Sequence, residues 1–177
     1  MLENKRIKEA EKNVRYYLEQ GMLKKIQKPE PGVINILLKN SKESINAAET
    51  MLENERSFLW TIVCSYYSMY YIANAVLYSM GNKVGDKIPH KVTADALIIY
   101  AKNKLKTAII EEYEEAKEDA IELAGLRAEE IIESFEHERS KRGNIQYSTT
   151  EVAKKAKAET SLQRAKKFIF EMNKLLD

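Results

Sequence analysis

Residues 57–82 contain no Asp, Glu, Lys or Arg, in a chain of 177 residues of which 32% are charged. An uncharged stretch of that length has to be covered, either by lipid or by other protein. Ser57, Thr61, Ser65, Ser68, Asn74 and Ser79 interrupt it. Tyr66, Tyr67, Tyr70, Tyr71 and Tyr78 run through its middle instead of gathering at two ends, where membrane interfaces place aromatic rings. The stretch therefore reads as a central helix wrapped by other helices, and no membrane partner is expected.

Apolar residues recur at helical spacing almost everywhere, strand-like alternation is nearly absent, and six Gly with three Pro are too few for a turn-rich β-fold. Six helices are predicted, over about 3–20, 31–53, 57–81, 89–102, 107–142 and 149–176. Gly21 and Gly81 read as stops, and Pro31 and Pro89 as helix starts. Lys24 to Pro31 reads as a basic connector and Gly81 to Lys87 as a turn. Gly125 is a point where the fifth helix could bend. Ser148 with Glu151 forms a capping box, flanked by Tyr147 and Val152 as a hydrophobic staple, so a tight corner precedes the last helix. The expected architecture is all-α: an up-and-down helical bundle of four to five core helices with an additional N-terminal helix. The division is an N-terminal helical extension at 1–28 and a bundle at 29–177.

Charge and motif content exclude several chemistries. A net charge of +2 creates no global field for nucleic acid. The only histidines, His90 and His137, lack a second ligand at helical spacing, and the single cysteine, Cys64, makes no disulfide framework. No Gly-rich phosphate loop or nucleophile elbow occurs, so neither a metal nor a cofactor is expected. The N-terminus lacks the apolar run of a secretory signal, which suggests a cytoplasmic protein. The charge that is concentrated lies between Arg139 and Lys167, where nine bases face two acids. This is the footprint expected of a phosphate-bearing partner at the corner and along the last helix.

The run from Ser65 to Gly81, with its paired tyrosines Tyr66-Tyr67 and Tyr70-Tyr71, resembles the Tyr-rich helix of prokaryotic HEPN domains. His90 matches the residue that opens the next helix in many of them. Arg142-Gly143-Asn144-Ile145-Gln146-Tyr147 resembles the Arg-x-x-Ala-Asp-Tyr corner of one uncharacterised branch, with Gln146 where Asp is usual. The resemblance covers about Pro31 to the end. It implies a homodimer whose corners meet in a cleft, a nucleotide or RNA ligand, and a nucleotidyltransferase partner in a toxin-antitoxin-like pair.

Many HEPN proteins are metal-independent ribonucleases that carry Arg, a short spacer and His. The cation stabilises developing charge on phosphorus while the imidazole moves a proton. Here Asn144 follows Arg139, and Tyr147 follows Arg142, at that spacing. Asn exchanges no proton near neutral pH, so the motif is degenerate. The reading is a phosphate- or nucleotide-binding protein using Arg139, Lys141, Arg142, Asn144 and Tyr147, and not a strong nuclease. Two alternatives stand beside it. One is a divergent metal-independent endoribonuclease toxin with His137, Arg142 and Tyr147 as its catalytic candidates. The other is a helical protein-protein interaction module without ligand.

Overall fold

A computed structural model describes residues 4–137 and 151–176, with side chains for 4–123 and 154–176. Its order is α1 (Asn4–Glu19), β1 (Leu23–Lys25), α2 (Pro31–Glu53), α3 (Phe58–Ser79), β2 (Asn82–Val84), α4 (Pro89–Tyr100), α5 (Thr107–His137) and α6 (Glu151–Asn173). The class is all-α, a helical bundle with an additional N-terminal helix.

The uncharged stretch becomes α3, which packs against α2, α4, α5 and α6. Ser57 starts it by accepting a hydrogen bond from the Trp60 amide at 3.2 Å. Ile62, Met69, Ile72, Val76 and Leu77 are buried at successive helical turns, and the interleaved Ser65, Ser68 and Asn74 are buried with them. Ser68 returns its hydroxyl to the Ser65 carbonyl, while Ser41 of α2 donates to the Ser68 carbonyl at 2.8 Å. Small hydroxyl residues thus let helices approach closely; Ser41 and Ser68 keep their hydroxyls bonded, while the buried Ser65 hydroxyl has no partner among the described residues. On the opposite side, Tyr113 of α5 and Phe168 of α6 are fully buried and stacked, with ring centroids 5.3 Å apart.

One expectation needs correction: the stretches read as connector and turn form a two-stranded antiparallel ribbon. Leu23 pairs with Val84, Lys24 with Lys83 and Lys25 with Asn82. Glycines at positive φ on both sides make the ribbon possible, Gly21 at 69° after α1 and Gly81 at 79° after α3. A Cβ on Gly81 would sit 3.0 Å from the Ile26 carbonyl oxygen, whose own amide donates to the Gly81 carbonyl. The ribbon fastens the end of α1 to the end of α3.

Helix α1 lies on α4 and buries Ala10, Val14 and Tyr17 in the same apolar cluster that contains Tyr66, Leu97 and Phe168. α5 continues as one helix through Gly125. Among the described residues no helix is long and apolar enough to cross a membrane.

Candidate functional site

The corner residues Arg139, Lys141, Arg142, Asn144 and Tyr147 lie outside the described residues, as do Ser148 and the side chain of His137. His137 is the last residue of α5.

The described part of the basic region is a different matter. Lys157 lies 2.7 Å from Asp119, Arg164 2.7 Å from Glu115, Lys166 2.7 Å from Glu49 and Lys167 2.6 Å from Glu112. Lys155 pairs with Glu55. The cations that the sequence concentrates on α6 are thus opposed by carboxylates of α5 on one side and of α2 and its following turn on the other. Exposed pairs of this kind contribute little to stability. They do cancel most of the local field that would otherwise draw a phosphate to α6. The acidic face of α5 is the partner of this basic helix.

The tyrosines of α3 divide by depth. Tyr66 is buried, Tyr70 and Tyr71 are half-buried, and Tyr67 is 37% exposed. His90, in the first turn of α4, sits among them. Its Nδ1 is 2.8 Å from the Tyr66 hydroxyl, and its ring centroid is 4.6 Å from that of Tyr70 and 5.7 Å from that of Tyr67. Burial and the nearby Lys117 charge hold the imidazole below its ordinary pKa. Burial likewise holds the Tyr66 and Tyr113 phenols well above the usual tyrosine range. Tyr66 therefore keeps its proton, and one hydrogen bond joins its hydroxyl to His90 Nδ1. Helical spacing made this aromatic set visible in the sequence; the insertion of His90 between the rings was not.

A second polar cluster joins α1, α4 and α5. Asp95 is fully buried and accepts from the Tyr17 hydroxyl at 2.8 Å and the Asn13 amide at 3.0 Å through Oδ2. Arg6 reaches its Oδ1 at 2.7 Å and also donates to Glu114 Oε1, at 2.9 Å from Nε and 2.5 Å from Nη2. Burial and the bond to Asp95 raise the Tyr17 pKa, so the phenol stays a donor. With Oδ2 engaged by two hydrogen bonds and Oδ1 facing the Arg6 charge, this cluster ties α1 to α4 and α5. Sequence reasoning missed it, although Asp95 is the one acid in the run Thr93-Ala94-Asp95-Ala96-Leu97-Ile98. A lone carboxylate in such a run signals a buried charge in need of a partner.

A pocket of about 380 Å³ opens between α2, α3 and the segment that carries β2 into α4. Val33 and Leu37 form one wall, Tyr70, Tyr71 and Tyr78 another, and Lys83 and Asp86 stand at its lining near the surface. The sequence placed only a turn there.

No protein-family model, curated protein or solved structure matches the chain. The fold defines the class as an all-α bundle, and the functional reading rests on residues alone.

Proposed function

We propose that this is a HEPN-like, homodimeric protein that binds a nucleotide or RNA phosphate at the corner between α5 and α6 and acts with a nucleotidyltransferase partner. The observation that carries the reading is the cluster Arg139, Lys141 and Arg142 in the span joining the two helices. Guanidinium groups suit phosphate through bidentate hydrogen bonds. The all-α bundle, the Tyr-rich helix at its centre and His90 at the start of the next helix support it as features that the resemblance leads one to look for. The ion pairs along α6 narrow the proposed footprint from the whole last helix to the corner itself. Binding without vigorous cleavage follows from Asn144 standing at the spacing where an acid/base residue is needed.

The test is titration of nucleotides and short RNAs against the wild type and Arg142→Ala at two salt concentrations. Binding that weakens with salt and with Arg142→Ala supports the reading. Binding to neither probe at low salt refutes it. Metal-independent RNA cleavage that Arg142→Ala abolishes would establish the endoribonuclease instead.

A second reading, an interaction module without ligand, is favoured by Trp60 and Phe170, which are 51% and 64% exposed. It predicts a stable complex with a nucleotidyltransferase that is insensitive to Arg142→Ala.

A further inference from the structure

The pocket between α2 and α3 is built from elements other than α5 and α6, and its chemistry is independent of the corner. Its volume falls within the range of small-molecule sites, about 300–1,000 Å³. The interior is mostly hydrocarbon and aromatic, from Val33, Leu37 and the rings of Tyr70, Tyr71 and Tyr78, with the amides of Asn74 and Asn82 donating to the Tyr70 and Met80 carbonyls. Burial pushes the Tyr70 phenol above its ordinary pKa, with neighbouring tyrosines adding to the effect, so it remains a neutral donor. Lys83 and Asp86 are both exposed, both line the pocket, and neither is ion-paired with another described residue.

Those two charges decide the ligand class. A net anion such as a phosphate is attracted by Lys83 and repelled by Asp86, and a net cation meets the reverse. A molecule carrying both signs satisfies both groups, and its apolar body fills the aromatic interior. We infer that this pocket binds a small zwitterion of the α-amino acid class with an aromatic or branched apolar side chain, its ammonium at Asp86 and its carboxylate at Lys83.

The rim is held in shape before any ligand arrives. The Gly85 amide donates to the Met22 carbonyl at 2.8 Å, and a Cβ on Gly85 would lie 3.1 Å from that oxygen. Ile88 has φ of 43°, a left-handed conformation that a β-branched residue adopts only where its surroundings impose it. Backbone fixed in this way loses little freedom on binding, and the ordering that remains is that of the exposed Lys83 and Asp86 side chains.

Calorimetric titration of the full chain tests the assignment with L-phenylalanine, L-leucine, L-phenylalanine amide, N-acetyl-L-phenylalanine and adenosine as probes. The free amino acids should bind saturably, and removing either charge from the probe should weaken binding about tenfold. Lys83→Met should weaken L-phenylalanine and its N-acetyl form about tenfold and leave the amide unchanged. Asp86→Asn should weaken L-phenylalanine and the amide and leave the N-acetyl form unchanged. Both positions are exposed, and an unchanged far-ultraviolet circular dichroism spectrum confirms that the variants fold. Absence of saturable amino-acid binding at millimolar concentration overturns the inference. So does binding indifferent to both substitutions, or adenosine binding more tightly than either amino acid. None of these outcomes bears on the corner, because the Arg142→Ala titration reads that separately.

Discussion

Replacing Asp95 should be among the most damaging changes in the described part of the molecule, and its cost can be worked from the contacts. The carboxylate is fully buried and meets Arg6, Tyr17 and Asn13 at 2.7, 2.8 and 3.0 Å. Breaking a buried ion pair by deleting one partner costs about 3–5 kcal/mol, because the other charge is left without compensation. Arg6 retains Glu114 and is 25% exposed, which places Asp95→Ala at the lower end, about 3 kcal/mol. Asp95→Asn keeps an acceptor for Tyr17 and loses the charge, so about 2 kcal/mol is expected. For a chain of this length, about 3 kcal/mol corresponds to a fall in Tm of roughly 6–12 °C.

Urea unfolding of Asp95→Ala, Arg6→Met and the double variant measures this directly, with an unchanged m-value as the check that only stability has moved. The double-mutant cycle should return a coupling of about 1–3 kcal/mol. Additive effects, or a cost for Asp95→Ala below about 0.5 kcal/mol, would show that the clamp between α1, α4 and α5 is not formed, since surface changes have effects of that size.

Two further outcomes are expected. The His90 pKa is lowered in the folded state, so between that value and the unfolded value near 6.5 the unfolded chain binds more protons. Stability should be complete above about pH 6.5 and fall as pH drops below it; the stability difference between wild type and His90→Gln, measured by urea unfolding across that window, should shrink accordingly, and a difference independent of pH would contradict the assignment. Gly81→Ala places a Cβ 3.0 Å from the Ile26 carbonyl at a φ of 79°, and should cost about 1–3 kcal/mol in thermal or urea unfolding.

What the sequence revealed depended on periodicity and punctuation. The absence of charge from 57–82, the helical spacing of its apolar residues, and Gly21, Pro31, Gly81 and Pro89 together located α1 to α4 to within a few residues, because each signal acts locally. The ribbon escaped notice because three-residue strands such as Leu-Lys-Lys are too short to show alternation; its register is set by glycines at both ends and by pairing across most of two helices. The basic stretch of α6 was visible as charge, but charge along one helix does not reveal the acids facing it from Glu49 or Glu112, which are distant in the chain. Asp95 and the pocket rim at Lys83 and Asp86 were hidden for the same reason, since their meaning comes from neighbours brought together by folding.

The ribbon also bears on how the protein can be dissected. Trimming the first 28 residues would remove β1 along with α1, stripping Val84 of Leu23 and Asn82 of Lys25, and leaving Asp95 with none of the three donors that reach it from α1. Such a fragment would expose one bare strand and an unneutralised acid in its interior, an invitation to self-association. A functional assay on it would then report the damage of the cut, so binding experiments call for the N-terminal helix to stay in place.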